Sequence, residues 1–458
     1  MQNFKKMTFI KAPLESVFSW HERQGALERL NPPWEQIKIV EKSNGIQKDA
    51  QTIFKVKAGP LYINWHAKHT QYEKNIMFQD VQIKGPFAYW EHTHNFKANG
   101  TLSCYLEDSI KYELPLYPLS KFINQTFVKQ KLEKMFRYRH QITSQDMMLI
   151  KKNKRPLKIV ISGASGTVGR TLIPFLTTQG NSVKRLVRKQ KNLKNDEISW
   201  NPYKNDIDKD QLNDVDAVIH LAGEQIGDAR WTAKKKKIIV DSRVSGTSLI
   251  ANTLAQMKSP PKTLICASAI GYYGDSGDED LIESSNSGKE FISYVCSEWE
   301  KAAKPALDKG IRVIFLRIGI VLTPAGGALA KFYLPFNMGV GGEVGDGNQY
   351  MSWLAIDDLI GVIHHCLFNE DINGPLNVAA PNPVTNKKFV KTLAKTLKRP
   401  SSFNIPKLAI KGIFGQMGEE VLLSSIRVNS NKLLQSGYKF FYPDLEPAFR
   451  HLLGLYEN

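Results

Sequence analysis

The chain has 458 residues, of which 42% are hydrophobic and 23% charged, and a formal net charge of +18. This length exceeds one ordinary core and predicts two or three domains, and the composition excludes a disordered chain. No stretch of eighteen apolar residues occurs, and the amino-terminal residues lack the apolar segment of a signal peptide, so we expect a cytoplasmic protein without a membrane span.

The positive charge does not predict a nucleic-acid partner. Lysines are spread along the chain, and the two densest basic runs, 151–155 and 234–237, lack the interleaved aromatic residues of a strand-binding surface. The four cysteines form no C-x-x-C pair, which argues against a zinc knuckle or a disulfide framework.

The first 150 residues predict an α+β domain. A strand-like FKKMTFIKAP and an amphipathic PLESVFSWHERQGALERL precede short alternating runs such as TIFKVKA and MFQDVQI, and a long helical pattern starts at Ser120. This element order, with the stretch GPFAYWEHTHNF, resembles the helix-grip fold of the START and polyketide-cyclase-like superfamily. The resemblance implies a curved sheet around a long helix, with an apolar ligand between them.

In the stretch GPFAYWEHTHNF, alternation puts Trp90, His92, His94 and Phe96 on one face of a strand. Two histidines at this spacing could bind a metal ion, but the sequence offers no evident acidic or cysteine third ligand nearby. We therefore predict a cavity lining or a hydrogen-bonded face, and no metal site.

The run KKNKRPLK at 151–158 has no apolar periodicity and contains a proline, so it predicts a basic linker. From 157 to about 375, apolar runs such as LKIVISG, DAVIHLAG and KTLICAS alternate with helical patterns. This alternation predicts a Rossmann-like, doubly wound α/β domain with a parallel sheet.

The segment ISGASGTVGRTL places three glycines between the first strand of that domain and a helix. Such glycines permit a tight turn, the approach of backbone N–H groups to a pyrophosphate, and close packing of the helix.

The following strand ends in Arg188 and Lys189, where an NAD site would carry an acid. We therefore predict that this site binds the 2′-phosphate of NADP(H). The alternative is that both cations only face solvent. The cofactor-binding candidates in these two segments are Gly163, Ser165, Gly166, Thr167, Val168, Gly169, Arg188 and Lys189.

The spacing GxxGxxG resembles that of extended short-chain dehydrogenases/reductases. The stretches HLAGEQIGDARWTAKKKKIIVDSRVSGT, ASAIGYYGDSGDED, FISYVCSEWEKAA and YMSWLAIDDLIGVI resemble their epimerase-like family, often labelled sugar nucleotide epimerase. The end of the chain, LLSSIRVNSNKLLQSGYKFFYPDLEPAF, resembles the small substrate domain of that family, which implies a carboxy-terminal domain at 376–458. The resemblance also implies that Leu221, Ala222 and Gly223 lie beside the cofactor, Arg243 on its nicotinamide side, and Ser268 at the end of the fifth strand.

Enzymes of this superfamily use a tyrosine whose pKa is lowered by a lysine four residues later. Alignment on Glu300 puts Ile292 and Cys296 in these two positions, whereas alignment on Tyr294 puts Glu298 in the lysine position. Either alignment loses the dyad.

Ser268 and Tyr272 are then the best candidates for contact with the nicotinamide or the substrate, and no catalytic base is named. Two hypotheses follow. The chain is an NADP(H)-dependent, epimerase- or dehydratase-like oxidoreductase with a small-molecule substrate, or it is a non-catalytic NADPH sensor coupled to a domain that carries an apolar ligand. Neither hypothesis specifies the substrate or the oligomeric state.

Overall fold

The computed structural model describes residues 1–43, 45–59, 61–115, 127–150 and 155–456. The chain divides into two compact units. The first comprises Met1–Lys154, Pro174–Gly180 and Leu453–Asn458, and the second comprises Arg155–Ile173 and Asn181–Leu452. Residues 151–154 of the predicted linker lie outside the described residues.

The first unit contains one antiparallel sheet of seven strands, in the order β1-β7-β6-β5-β4-β3-β2. The predicted antiparallel strands are therefore present, whereas residues 120–126 of the predicted long helix lie outside the described residues. The elements are β1 (Gln2–Ile10), α1 (Leu14–Glu22), α2 (Ala26–Arg29), β2 (Ile37–Lys42), β3 (Gln51–Ala58), β4 (Leu61–Glu73), β5 (Met77–Lys84), β6 (Tyr89–Ala98), β7 (Cys104–Glu113) and α3 (Lys129–Ile150).

Alternation along the strands builds the core of the first unit. In β6, Trp90, His92, His94 and Phe96 are buried while the residues between them are half-buried, so one face of the strand points inward as predicted. Phe136 of α3 belongs to the same buried cluster as Trp90. The long helix thus covers the inner face of the sheet.

The second unit contains an eight-stranded sheet in the order β11-β10-β9-β8-β12-β13-β15-β19. Its strands are parallel except for the β10–β11 pair. The predicted Rossmann-like parallel sheet is confirmed. Strand order runs outward in both directions from β8 and β12, and ligands of such sheets bind at the carboxyl ends of the strands beside this reversal.

From Lys158 to the last strand of this sheet, the elements in chain order are β8 (Lys158–Ser162), α4 (Thr167–Thr178), β9 (Ser182–Val187), β10 (Glu197–Asn201), β11 (Asp206–Ile207), β12 (Ala217–His220), α5 (Ala233–Gln256), β13 (Thr263–Ala269), β14 (Asp280–Leu281), α6 (Phe291–Lys301), α7 (Lys304–Asp308), β15 (Arg312–Ile318), β16 (Ile320–Thr323), α8 (Gly327–Asn337), β17 (Tyr350–Met351), β18 (Trp353–Ala355), α9 (Ile356–Phe368) and β19 (Gly374–Val378). The last residues of α4, from Pro174 on, fall in the first unit. β8, β12 and β13 are almost entirely buried, as the continuous apolar runs predict for strands covered on both faces.

The remaining elements are β20 (Val384–Thr385), α10 (Asn386–Leu397), α11 (Lys407–Phe414), β21 (Arg427–Val428), α12 (Asn431–Gln435) and α13 (Leu445–Leu453). The predicted boundary between residues 375 and 376 falls inside β19, which pairs with β15, so the main sheet continues beyond it. Within the part of the chain that the structure describes, none of the helices is long and apolar enough to cross a membrane.

Candidate functional site

The turn between β8 and α4 requires glycine at two of its three glycine positions. Gly163 has a φ of +74°, and a Cβ on it would lie 2.7 Å from the carbonyl carbon of Leu221. A Cβ on Gly169 would lie 2.4 Å from the carbonyl oxygen of Gly163, so its absence lets the helix pack against the turn. Gly166 is exposed. A Cβ on it would have that same oxygen as its nearest neighbour, at 3.3 Å. Gly166 therefore leaves the outer side of the turn open, as the approach of a phosphate requires.

The first turn of α4 surrounds this opening. Ser165 is exposed, while Thr167 and Val168 are half-buried. The first N–H groups of a helix have no partner within the helix and carry partial positive charge, so they bind anions. These residues form a cradle suited to a pyrophosphate.

The two cations predicted at the end of β9 are exposed to solvent at the same edge of the sheet. Arg188 and Lys189 follow the last residue of the strand directly. Two acidic side chains lie near them at the start of β10, but both form ion pairs with Arg185. The distances are 2.8 Å for Asp196 and 3.2 Å for Glu197. Positive charge therefore dominates the place where an adenosine ribose would lie.

The segment after β12 is fixed by a buried serine of the neighbouring strand. Ser162 Oγ accepts hydrogen bonds from the backbone N–H groups of Leu221 and Ala222, at 3.1 and 3.3 Å, and lies 2.6 Å from Nδ1 of His220. Burial, and then the charge of Arg243, lower the pKa of His220 to about 4. The ring is therefore neutral at pH 7, and it helps to anchor the predicted adenosine side of the site.

Arg243 adds a buried positive charge beside Gly223. A Cβ on Gly223 would lie 3.3 Å from Cζ of Arg243, whose guanidinium also lies 4.9 Å from the ring centroid of Trp299. Burial lowers the pKa of Arg243, but a guanidinium stays protonated near neutral pH. The structure thus brings together Gly223 and Arg243, and the predicted positions of both residues along the cofactor stay predictions.

Ser268 lies at the end of β13 and is buried. Its Oγ donates a hydrogen bond to Oε1 of Glu300, at 2.7 Å. Arg317 binds the same carboxylate with two donors, Nε at 3.0 Å and Nη2 at 2.9 Å. The serine hydroxyl is therefore engaged with a buried ion pair, and its predicted contact with the nicotinamide or substrate stays a prediction.

Tyr272 is half-buried in the 3-10 helix Ile270–Tyr273, directly after β13. The guanidinium of Arg317 lies 3.5 Å from its ring centroid, within the range of a cation–π contact. The neighbouring Tyr273 is buried and donates to Oδ1 of Asn377 at 2.7 Å. Tyr272 thus sits at a strand end where ligand groups gather, with its ring held by Arg317.

The two alignments of the predicted dyad differ in where their residues point. Ile292 and Cys296 are buried in one apolar cluster, and Ile292 packs beside Gly271 at the end of β13. Tyr294 is 54% exposed, and Glu298 forms an ion pair with the neighbouring Lys301. The alignment on Glu300 therefore gives the two residues that face the strand end.

A cavity of about 930 Å³ lies within the first unit. Most of its lining is apolar and includes Phe54, Val56, Trp65, Phe87, Leu132 and Met135. Polar side chains from neighbouring strands also line it, namely His69, Asp80, His92 and His94. This combination of a large apolar volume and a few converging polar groups is typical of a ligand site.

Three of these polar groups, Asp80, His92 and His94, belong to a buried network centred on Asp108 of β7. Its carboxylate accepts hydrogen bonds from His92 Nε2 at 2.7 Å and His140 Nε2 at 2.5 Å, and it lies 2.6 Å from His94 Nδ1. Burial lowers the pKa of His92, but its contacts with the carboxylates of Asp108 and Asp80 outweigh burial and raise it to about 9. Burial, and then the charge of His92, lower the pKa of His94 to about 3.

The expectation that no third ligand accompanies the two histidines is wrong. Asp80, His92 and His94 each offer one ligand atom, and these atoms all lie within 4.8 Å of one another. Asp80 is the cross-strand neighbour of His92 on β5. The alternation in MFQDVQI predicts a strand and therefore offered a signal that some of its side chains share a face with the histidines. Only the pairing register of β5 with β6 shows which of them lies beside the histidines.

Comparison with known proteins decides the family. The NAD dependent epimerase/dehydratase family matches residues 159–379, and a domain of unknown function matches residues 405–452. An epimerase family protein of Mycobacterium bovis is 34% identical over 290 residues, which cover 63% of this chain and 95% of that protein. The chain belongs to the NAD dependent epimerase/dehydratase family.

Two crystal structures are similar to this epimerase-family chain. One, described as the nucleoside-diphosphate sugar epimerase of Corynebacterium glutamicum, has a TM-score of 0.81 and 33% identity and covers 98% of this chain and 90% of its own. The other, the human epimerase family protein SDR39U1 with NADPH, has a TM-score of 0.59 and 30% identity and covers 65% and 99%. The first similarity extends over the antiparallel unit as well as the Rossmann-like one.

Two features of this family member were missed from the sequence. Glu300 and Arg317 form the buried ion pair beside Ser268, although Glu300 served only as an alignment mark. Glu420 of the carboxy-terminal region accepts from the backbone N–H groups of Phe291 and Ile292, at 3.3 and 2.9 Å, and so caps α6. Neither contact has a local sequence signal, because the partners are 17 or more residues apart.

Proposed function

We propose that this epimerase-family chain binds NADP(H) and carries out epimerase- or dehydratase-like chemistry on a small-molecule substrate without the usual tyrosine–lysine dyad. One observation carries the cofactor choice. Arg188 and Lys189 are exposed at the end of β9, while the acids nearby are paired with Arg185. The human relative described with NADPH supports the same choice.

Each part of the site has a separate task in this proposal. A bound nicotinamide supplies hydride transfer. The turn at Gly166 and the first N–H groups of α4 bind the pyrophosphate, and Arg188 and Lys189 bind the 2′-phosphate through charge-assisted hydrogen bonds. Arg243 adds positive charge at the end of β12.

Proton transfer requires a group other than the two residues in the dyad positions. Ile292 has no titratable group, and burial raises the pKa of Cys296 to about 12, so its thiol stays protonated at neutral pH. Tyr272 is then the candidate phenol for contact with the substrate, because it follows β13 directly and its ring is held by Arg317. Ser268 would contribute through its bond to Glu300.

The loss of the dyad also favours a second candidate function, a non-catalytic NADPH sensor. The two functions share the cofactor site and differ at Tyr272. In the enzyme, Tyr272→Phe lowers the rate at which an active substrate is converted to its epimer or dehydration product, at unchanged NADPH affinity. If no member of a panel of nucleotide sugars and small carbonyl compounds is converted in the presence of NADP(H), while tight NADPH binding is retained, the sensor is favoured.

The cofactor proposal is tested by titration of NADPH and NADH into the full chain, followed by the fluorescence of the bound nicotinamide. We expect NADPH to bind at least tenfold more tightly, and Arg188→Ala to reduce that ratio by about fivefold, since an exposed charge-assisted contact contributes about 1 kcal/mol. Lys184→Ala is the matched control, because Lys184 lies on the same strand and bonds Gln211 at 2.8 Å. Equal affinities for the two cofactors in the wild type would contradict the proposal.

For the first unit, we propose a helix-grip domain of the START-like type that holds an apolar ligand. The supporting observation is the apolar cavity of about 930 Å³ between sheet and helix. A neutral, environment-sensitive apolar dye such as Nile red should bind the folded wild type at one site, and Val56→Arg, which introduces a charge into the lining, should abolish the signal. Ile83→Arg is the control, because Ile83 is exposed on β5.

A further inference from the structure

Three neighbouring strands of the first unit place acidic and imidazole side chains on the same inner face. Asp80 of β5 lies opposite His92 of β6, and His94 of β6 lies opposite Asp108 of β7. His92, His94 and Asp108 are each less than 9% exposed. The cluster is therefore buried, and its position is set by strand register and not by a loop.

The separation of His92 from Asp80 fits a shared ion better than a hydrogen bond. His92 Nδ1 lies 3.5 Å from Oδ1 of Asp80, which is longer than ordinary N–H···O bonds. Two ligands about 2.1 Å from an ion in a tetrahedral arrangement lie about 3.4 Å apart. His94 contributes the third ligand atom, within 4.8 Å of the other two.

Asp108 orients the ring of His92 and contacts that of His94 from behind. It accepts from His92 Nε2, which leaves Nδ1 of that ring on the side of Asp80. It also lies 2.6 Å from Nδ1 of His94 and is itself held by His140, whose Nδ1 lies 2.7 Å from Thr8 Oγ1. A carboxylate that bonds the outer nitrogen of a ligating histidine fixes the tautomer and the direction of the ring in metal sites.

The three ligand residues also line the cavity, so protein surrounds the cluster on one side and open space lies on the other. Two histidines and one carboxylate with open positions form a donor set that binds Zn²⁺ and similar divalent transition metals. We propose that Asp80, His92 and His94 bind a divalent transition metal ion of this class, with at least one coordination position directed into the cavity. An ion there could polarise an oxygen atom at the polar end of a molecule held in the cavity.

The test uses the full chain without an affinity tag, treated with chelator and then titrated with Co²⁺ and Zn²⁺. We expect one equivalent of Co²⁺ to give visible ligand-field absorption, and Zn²⁺ to bind in calorimetry and displace it. Asp80→Asn and His94→Gln should each weaken Co²⁺ binding at least tenfold, and Asp108→Asn should weaken it by about ten- to hundredfold through the loss of orientation.

His66→Gln is the matched control, because His66 lies on β4 of the same sheet and bonds Gln51 at 2.8 Å outside the cavity. Every variant must retain the wild-type circular dichroism and NADPH affinity, which separates metal binding from folding and from the cofactor site. If Asp80→Asn or His94→Gln fails this requirement, the other variant is compared with the wild type. The Co²⁺ titration of the wild type tests the proposal even without a variant. A wild type without ligand-field absorption, or Co²⁺ binding that survives Asp80→Asn and His94→Gln, would overturn the proposal. A protonated His92 between two carboxylates would then account for the cluster.

Discussion

Ser268 donates its hydroxyl proton to Glu300, whose carboxylate is bound on its other side by Arg317. The distances are 2.7 Å for Ser268 Oγ to Glu300 Oε1 and 2.9 Å for Arg317 Nη2 to Glu300 Oε2. The Arg317 side chain is 3% exposed and that of Glu300 is 13% exposed. Helix α6 is therefore tied to the end of β13 by a hydrogen bond and to β15 by a buried ion pair.

This arrangement predicts that substitutions of Glu300 and Ser268 lower the free energy of unfolding by different amounts. Glu300→Ala leaves a buried guanidinium unpaired, and we expect it to lower the free energy of unfolding by about 3–5 kcal/mol. Ser268→Ala removes one hydrogen bond and should cost about 1 kcal/mol, with NADPH affinity unchanged within about twofold. Denaturant titration measures both, with Glu298→Gln as a near-neutral control at an exposed ion pair. A tenfold loss of NADPH affinity in Ser268→Ala at unchanged stability would instead place the hydroxyl on the cofactor.

The glycine turn predicts a variant that separates folding from cofactor binding. A Cβ on Gly166 would make one tight contact, 3.3 Å from the carbonyl oxygen of Gly163, and the side chain would fill the side open to a pyrophosphate. We expect Gly166→Val to lower the thermal midpoint far less than Gly163→Ala does, and to weaken NADPH binding at least tenfold. Gly163→Ala should lower the midpoint strongly, because its Cβ would meet backbone at 2.7 Å. Retained NADPH binding in Gly166→Val would show that the turn does not hold the cofactor.

His220 predicts a loss of stability in acid. Burial lowers its pKa to about 4 in the folded chain, whereas an unfolded histidine titrates near 6.5. Above pH 6.5 both states are neutral; between 6.5 and 4 only the unfolded state takes up a proton, so stability falls as pH falls through this window. From pH 7.5 to 5.0 the contribution of His220 amounts to about 2 kcal/mol.

Denaturant titrations of the wild type and His220→Gln at the two pH values measure this contribution. The wild type should lose more stability than the variant, which no longer titrates at this position. His66→Gln is the control. It removes a histidine of the antiparallel sheet of the first unit, where His66 bonds Gln51, and leaves His220 in place. Parallel losses in the wild type and His220→Gln would contradict the expected lowering of the pKa.

The sequence was most informative where one physical constraint acts locally. The continuous apolar runs predicted strands covered on both faces, and the glycine spacing predicted the turn at Gly163, where positive φ and close backbone approach leave no room for a side chain. Contacts between distant segments were not predictable. Asp80 joins the histidines only through the register of β5 with β6, and Glu300 meets Arg317 only after α6 packs on the sheet.

The helix α6 provides a last prediction, because the alignment on Glu300 puts the buried thiol of Cys296 in the position of the superfamily's lysine. Cys296 is 1% exposed and lies in a cluster with Trp231 and Ile239, near the positive charge of Arg243. Introducing a lysine with Cys296→Lys would bury a second cation there, where the nearby carboxylate of Glu300 is already paired with Arg317. We expect it to lower the free energy of unfolding by about 3 kcal/mol or more, measured by denaturant titration. Tyr294→Lys on the exposed face of the same helix should change it by less than about 0.5 kcal/mol. If Cys296→Lys were as stable as the wild type, the position could accept a catalytic lysine. The cost of burying a cation there would then no longer support the proposal that this site works without the dyad.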